Sequence, residues 1–469
     1  MNEWSLAVRN LLRNRRRSLS TAFALAIGLT ATLLFSGFRA SLAQTMLTAY
    51  ARAGGHVQVQ HRDYFLFGSG NPNAYAIAGY EKLLDAIRND AVLKPLVAVA
   101  TPMLRFGGLA GNFDAGISRT VIGTGYVAED FHRMRKWNEF AVTIGFKDFA
   151  LLGTPPDAAV IGIGVARVLQ FCKLLAPEDC PAPQAPDPIA PKGKATALPS
   201  DIADLAQLEH AGSGNKKPAA GVRMELLVSG TRGAPNVAAL NVVAAEGQGF
   251  KELDEVSAIL HLSQAQQLVF GRGQPKVTAI MVLANKTADE TLIKDRVHEL
   301  VDQHGGAQPL VVRGFEEMNP YYVQSIQLFN VIFDFIFALI GCIVLFTVSN
   351  TMNTAVIERT VEIGTLRAIG LRQNGIRRLF IYEGVILGAV GVTTGLAAAV
   401  ILGEAVNHSG VTWLPPGSTE RVLLQLRVLG DRWTLVSTTL GLVVIATASA
   451  WWPAWRAAKL KIVEALRHA

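Results

Sequence analysis

The sequence predicts an α-helical membrane protein with four transmembrane helices and an α/β plus β extracytoplasmic domain inserted between spans one and two. Three observations predict it. Half of the 469 residues are hydrophobic and the mean hydropathy is +0.29, a balance unusual for a soluble chain. Four stretches each supply the roughly 20 apolar residues that a bilayer core about 30 Å thick demands of a helix, and no other segment comes close. The basic residues behind the formal charge of +7 are gathered in the short flanks of those stretches.

Residues 1–18 end in the basic run of Arg13, Arg15, Arg16 and Arg17, and the first span follows at 19–42. A secretory signal is the competing reading, because "SLAQ" at Ser41 to Gln44 suits cleavage. The apolar run is long for a signal core, however, and three more spans follow. Residues 43–322 form the large domain. Within it "HVQVQ" from His56 alternates like a strand, "YEKLLDAIRND" from Tyr80 reads as an amphipathic helix, and "ISRTVIGTG" from Ile117 reads as a second strand. "VTAIMVLA" from Val277 is strand-like and precedes a helix that Gly305 terminates.

Strand, helix and strand at both ends imply that 43–130 and 275–318 fold together around an inserted subdomain, 131–274. The insert contains a Pro-, Ala-, Gly- and Lys-rich excursion at 177–218, where no site is expected. Cys172 and Cys180 flank its start as a candidate loop-closing disulfide. Cys342, in an apolar run, reads as a small packing residue. The remaining spans are 323–349, 379–403 and 433–453, joined by 350–378 and by a short connection at 404–432, with a tail at 454–469.

Orientation follows from the flanks. Arg9, Arg13, Arg15, Arg16 and Arg17, then Arg359, Arg367, Arg372, Arg377 and Arg378, then Arg456, Lys459, Lys461 and Arg467 make fourteen basic residues against Glu3, Glu358, Glu362 and Glu464. The net is +10, which leaves −3 for the rest of the chain. The positive-inside rule puts these flanks and both termini in the cytoplasm and the large domain outside. The charge is thereby explained without nucleic acid as a partner.

No chemistry is visible. The phosphate-cradling G-x-x-x-x-G-K-[ST], H-E-x-x-H, paired Cys-x-x-Cys and G-x-S-x-G patterns are all absent. The expectation is a non-enzyme without catalytic residues, metal site or cofactor of its own. His56, His61 and His132 read as surface polar groups.

The informative stretch runs from Ser349 to Gly403. After the second span the chain is expected to continue helically, with Ile363, Leu366 and Ile369 on one face and Gly370 as terminator. Such an element can dock on a cytoplasmic partner or lie on lipid. In the third span Gly384, Gly388, Gly391 and Gly395 recur at spacings of 4, 3 and 4. That stripe admits close helix packing, with pore lining as the alternative. Asn330 and Asp334 lie a turn apart near the outer end of the second span, after an Asn319-Pro320 helix start. A carboxylate inside a span is costly and by default a functional candidate, but Asp334 lies only about one to two turns deep, so the alternatives are that it simply reaches the surface or pairs with a neighbouring helix.

"ERTVEIGTLRAIGLRQNGIRRLFIYEG", from Glu358, resembles the signature of the FtsX/MacB/LolC-like (type VII) permeases of ABC transporters. "LAVRNLLRNRRRS" is similar to that family's amphipathic entry helix, which the resemblance places at 1–18, "WWPAWRAAKLKIVEALRH" is similar to its tail, and the span order agrees. The resemblance implies a bacterial inner-membrane permease with a periplasmic domain split into a porter-like part and a mostly β insert. It makes Glu358, Arg359, Glu362, Ile363, Leu366 and Arg367 the coupling helix on a cytoplasmic ATPase, which holds the ATP and Mg, and implies a second permease, like or unlike. It also makes Phe329, Asn330, Phe333, Asp334 and Phe337 candidate contacts for cargo at a lateral gate between spans one and two. "ELDEVSAILHLSQAQQLV" from Glu252 is similar to the lipoprotein-releasing branch, which implies lipoprotein or another lipidated cargo. The alternatives are efflux of small molecules or peptides with a periplasmic adaptor, and mechanotransmission to a cell-wall hydrolase.

Overall fold

The structure, a computed structural model, describes residues 3–68, 70–143, 148–177, 180, 221–230, 235–249, 251–414 and 421–460. The excursion at 177–218, apart from Pro177 and Cys180, lies outside the described residues, as does the tail from 461 onward. Beyond turns of three or four residues, the described helices are α1 (Glu3–Arg13), α2 (Arg15–Gly54), α3 (Tyr80–Asn89), α4 (Ala128–Lys136), α5 (Ile163–Val168), α6 (Leu262–Phe270), α7 (Glu290–His304), α8 (Pro320–Glu358), α9 (Thr360–Ala368), α10 (Gln373–His408) and α11 (Arg432–Ala458).

Four of these, α2, α8, α10 and α11, are long and apolar enough to cross a membrane. At 1.5 Å per residue the 40 residues of α2 extend about 60 Å, twice a bilayer core. Residues 43–54, assigned to the large domain from sequence, are therefore a helical stalk beneath it. The four helices form a ring in which α2 packs on α8 and α10, and α11 packs on both of those. Leu25, Leu29, Val344, Val348, Leu442 and Ala446 fill its centre. Cys342 is exposed on α8 and packs nowhere in the bundle, because its face of the helix points away from the ring.

The strands are β1 (Val57–His61), β2 (Ile77–Ala78), β3 (Val97–Asn112), β4 (Ile117–Tyr126), β5 (Ala158–Gly162), β6 (Val222–Ser229), β7 (Pro235–Glu246), β8 (Ser257–His261), β9 (Lys276–Val277), β10 (Ala279–Ala284), β11 (Leu310–Gly314), β12 (Thr412–Trp413) and β13 (Val422–Leu423). Nine of them make one sheet in the order β11-β1-β10-β3-β4-β8-β5-β7-β6. The sheet closes on itself, since β6 also pairs with the far end of β3 at Leu109↔Leu227 and Gly111↔Glu225. Strand β3 thus carries β10 along its first half and β6 near its end. Gly108 sits at this change of partner, where a Cβ would stand 3.0 Å from the Leu227 carbonyl. The porter-like and inserted parts, drawn at 43–130, 275–318 and 131–274, accordingly share β3 and β4 and a single continuous sheet.

Strands β1 and β11 lie side by side and antiparallel, Val57 opposite Gly314. One leaves α2 and the other enters α8. The turn out of α2 needs glycine: Gly55 has φ +77° and a Cβ there would meet the Val282 carbonyl at 2.8 Å. At the other root Pro320 opens α8, but the Asn319 side chain does not cap it. Its Nδ2 donates back to the Phe315 carbonyl at 2.8 Å instead.

Several local expectations change. The strand expected at HVQVQ forms as β1, but it lies inside the sheet and Gln58 and Gln60 are buried, with Gln60 Nε2 donating to Gln58 Oε1 at 2.6 Å. His56, expected at the surface, is fully buried. Its Nδ1 accepts from the Ala284 amide at 3.2 Å, its ring stands edge-on to Trp137, and burial pushes its pKa down to about 4. Gly305 does cap α7, its amide donating to the Val301 carbonyl at 2.7 Å, and the left-handed residue is the next one, Gly306. Cys172 and Cys180 are joined in a disulfide, with Cα atoms 5.6 Å apart.

Candidate coupling site

At the basic end of the bundle the second span's helix does not run on unbroken. It stops at Glu358, Arg359 leaves helical geometry (φ −109°, ψ 17°), and α9 begins at Thr360. Gly370, with φ +104°, then turns the chain toward α10. The break redistributes the motif's side chains. Ile363 is buried against the bundle and Leu366 half-buried, but Ile369 lies past the end of α9 and is 77% exposed, so the expected apolar face of Ile363, Leu366 and Ile369 does not form.

The charged members of the motif turn inward. Glu358 accepts a bidentate pair from Arg17 at the start of α2, at 2.6 and 2.7 Å. Those bonds hold its carboxyl below the usual range and raise Arg17. Glu362 is partly buried, which opposes ionisation. Hydrogen bonds from Arg359 and Arg13 outweigh that and keep its pKa low. Arg359 is 11% exposed and reaches from Glu362 across to Glu383 on α10, its Nη1 donating to Oε1 at 3.0 Å. Asn10 Nδ2 of α1 donates to the same oxygen at 2.8 Å. Arg367 donates to the Leu460 carbonyl just past α11.

Glu362 and Arg367 thereby tie α9 itself to α1 and the end of α11, and Glu358 and Arg359, the two residues that lead into it, are tied to α2 and α10. What α9 leaves outward is Val361, Thr365, Ala368 and the following Ile369, a nearly uncharged face. Buried ionic groups must be paired to be tolerated, so this network fixes where α9 sits, and its exposed face is what a partner would touch.

The glycines of α10 lie where two helices come closest. A Cβ at Gly384 would meet Ala450 Cβ at 2.7 Å and one at Gly388 would meet Ala446 Cβ at 3.2 Å. A Cβ at Gly391 would meet Leu25 Cβ at 2.5 Å, and one at Gly395 the Ala26 carbonyl at 2.7 Å. Thr30 Oγ1 donates to the Gly395 carbonyl at 3.0 Å, closing α2 on α10.

At the domain end Phe333 stacks on Phe35 and on Phe337, and Phe329 stands edge-on to Phe38, so the three aromatics named as candidate cargo contacts fill the seam between α2 and α8. Arg39 lies over the Phe333 ring at 4.9 Å, donates to Asn330 Oδ1 at 2.6 Å and Thr434 Oγ1 at 3.2 Å, and pairs with Asp431 at 3.5 Å. Asp334 is exposed on the outside of α8 and makes no ion pair among the described residues.

Sequence reasoning singled out neither Asn10, Glu383 nor Arg39. The signal was present: Glu383 and Arg39 are, with Asp334, the only charged residues inside the four expected spans, and the rule that flagged Asp334 applies equally to them.

Comparison with known proteins fits this architecture. Residues 332–462, which hold α9 and three spans, match the FtsX-like permease C-terminal family. Residues 18–177 match the MacB-like periplasmic core domain. The "Lipoprotein-releasing system transmembrane protein LolC" of Neisseria meningitidis serogroup B is 26% identical over 50% of this chain and 56% of its own length. Its namesake in Xylella fastidiosa is 24% identical over 47% and 53%. The "Macrolide export ATP-binding/permease protein MacB" of Escherichia coli is 29% identical over 29% of this chain and 21% of its own. The match thus covers about half of the LolC relatives and about a fifth of MacB. With four spans, an α/β domain rooted in the first two and matches to both domain families, the chain is a multi-pass FtsX-like permease carrying a MacB-like periplasmic core domain.

Proposed function

We propose that this permease converts the motion of a cytoplasmic ABC ATPase, received at α9, into movement of its periplasmic domain, and so extracts a lipoprotein or another lipidated substrate from the inner membrane. The observation that carries the reading is the tethering of α9 and the break before it: Arg13–Glu362 and Arg367–Leu460 hold α9 to α1 and the end of α11, while Arg17–Glu358 and Arg359–Glu383 hold the two residues leading into it to α2 and α10. A push on the Val361–Thr365–Ile369 face is then delivered to α2 and α8, whose far ends are the roots of β1 and β11.

In this scheme the basic flanks are cytoplasmic, ATP and Mg belong to the ATPase, and a second permease completes the transporter. The lipidated cargo is favoured because the relatives named for lipoprotein release match about half of this chain. An aromatic seam between spans one and two suits an acyl-bearing substrate. Export of a small molecule or peptide is the second reading, favoured by the match to MacB.

The test uses the co-purified ATPase in nanodiscs. Ile369→Asp is expected to weaken ATPase binding by about tenfold, ~1.4 kcal/mol, without changing the permease's own stability. Glu362→Lys, which places a third cation beside Arg13 and Arg359, should lower both. Unchanged binding and unchanged stimulated hydrolysis in both variants would refute the coupling assignment. Mass spectrometry of what the wild-type complex retains distinguishes lipoprotein from other cargo.

A further inference from the structure

Alongside the coupling network, but on the lipid side of it, lies an open apolar groove of about 450 Å³ between α1, the beginning of α2 and α10. Val8, Leu12, Leu19, Ala22, Ile386 and Val390 supply its walls, and Arg15 and Ser18 are its only polar lining. Leu12 and Leu19 are 59% and 65% exposed, so the groove opens sideways, at the level where the first span begins. A soluble protein would have to cover such a surface. In a bilayer the medium itself supplies the cover.

The rim carries a charge pattern. Arg13 and Arg17 are consumed by Glu362 and Glu358. Arg9, Arg15 and Arg16 are exposed and make no ion pair among the described residues. Arg15 donates only its Nε, to the Leu12 carbonyl at 3.1 Å, which folds the side chain over the groove mouth. An apolar slot under an unneutralised arginine at the basic end of a bundle is complementary to one ligand class, a lipid with an anionic headgroup.

We propose that this groove is a binding site for one anionic phospholipid, an acyl chain lying between α1 and α10 and the phosphate held by Arg15. The site shares Leu11, Ser18 and Leu387 with the small cavity beside Asn10, Arg359 and Glu383. A bound lipid therefore fills the space behind α1 and presses it toward the residues that hold α9.

Native mass spectrometry of the full chain, equilibrated with phosphatidylglycerol or with phosphatidylcholine of the same acyl chains, tests this. Wild type should retain phosphatidylglycerol about fivefold better, the factor expected of one arginine near a lipid surface. Arg15→Gln should bring the ratio close to one, whereas Arg432→Gln, on the opposite side of the membrane, should leave it unchanged. Val390→Trp, which fills the wall from an exposed position, should lower retention of both lipids. Equal retention of the two lipids by wild type, or a preference that survives Arg15→Gln, overturns the proposal. So does efficient cross-linking between copies through Leu12→Cys in a Cys342→Ala background, which would assign the groove to a second copy of the chain.

Discussion

Removing Arg359 isolates the most consequential contact in the candidate coupling site. Arg359→Met takes away the guanidinium but keeps much of its apolar bulk, and leaves Glu383, 3% exposed, with only the Asn10 amide on its Oε1. Breaking a buried pair by deleting one partner costs about 3–5 kcal/mol. Two features place this case toward the lower end. The Asn10 bond survives, and the adjoining cavity of about 20 Å³ can admit a single water to the carboxylate. The expected loss is therefore about 2–4 kcal/mol. Removing Arg17 from its exposed pair with Glu358 should cost far less, because solvent screens that pair. Arg359→Met combined with Glu383→Leu removes the stranded charge and should recover at least about 1 kcal/mol of the single-variant loss. The assay is a double-mutant cycle from equilibrium unfolding in mixed micelles followed by tryptophan fluorescence. Single-variant losses that add to within about 0.5 kcal/mol would mean that the two residues are not coupled and that α9 is not held by this network.

Three further outcomes follow from the packing and chemistry. Gly391→Ala should destabilise the bundle by about 1–3 kcal/mol because its Cβ falls 2.5 Å from that of Leu25; Gly384→Ala should be rescued by Ala450→Gly, read as recovered thermal stability. His56 has a folded pKa depressed to about 4, so above pH 7 it is neutral in both states and contributes nothing pH-dependent. As the pH falls through 6.5 the unfolded chain takes up a proton that the folded one refuses, costing about 2 kcal/mol at pH 5. Hydrogen exchange of β1 and β10 should report that loss, and His56→Asn should flatten it. Replacing Cys172 and Cys180 by serine should cost the domain about 2–3 kcal/mol, the loop-closure value for so short a loop, measured as a lower denaturation midpoint that reducing agent does not lower further.

The spans were legible because lipid imposes a one-dimensional rule: length and hydropathy alone select α2, α8, α10 and α11. The ends of those helices were not. Residues 43–54 remain helical because the stalk's partners are the domain and the outer loop; Arg52 donates to the Trp137 carbonyl at 2.6 Å and Arg427 to Gln44 at 2.8 Å. The break at Arg359 likewise answers to Glu383, 24 residues on, and no local propensity encodes it. His56 was misjudged for the same reason. An isolated histidine reads as a surface group, and only the tertiary fold covers this one with the rings of Trp137 and Phe315. The single sheet shared by both parts of the large domain was hidden because the β3–β6 pairing joins residues over a hundred positions apart.

The roots of β1 and β11 decide how motion at α9 can reach the periplasm on the proposed reading. Displacing α2 relative to α8 could slide one strand along the other, or could move the domain bodily while the seam between the helices opens. Sliding would break a ladder that runs from Val57↔Gly314 to His61↔Leu310, at about 1 kcal/mol net for each bond, and would disturb the β1–β10 pairing behind it. Opening the seam breaks the bonds of Arg39 to Asn330 and Thr434 and separates the Phe35–Phe333 and Phe38–Phe329 pairs, each aromatic pair worth about 0.5–1.5 kcal/mol beyond its burial. An acyl chain entering the seam would replace the lost apolar contacts, whereas nothing replaces a broken ladder. The domain should therefore move as one body with β1 and β11 in register, and Arg39 should be the clasp that releases it. Arg39→Gln is expected to raise cargo-independent ATP hydrolysis in the assembled complex. A disulfide placed across β1 and β11, at Val59→Cys and Val312→Cys, should leave transport intact. If that cross-link stops transport while Arg39→Gln leaves basal hydrolysis unchanged, the motion runs through the sheet and the seam is only packing.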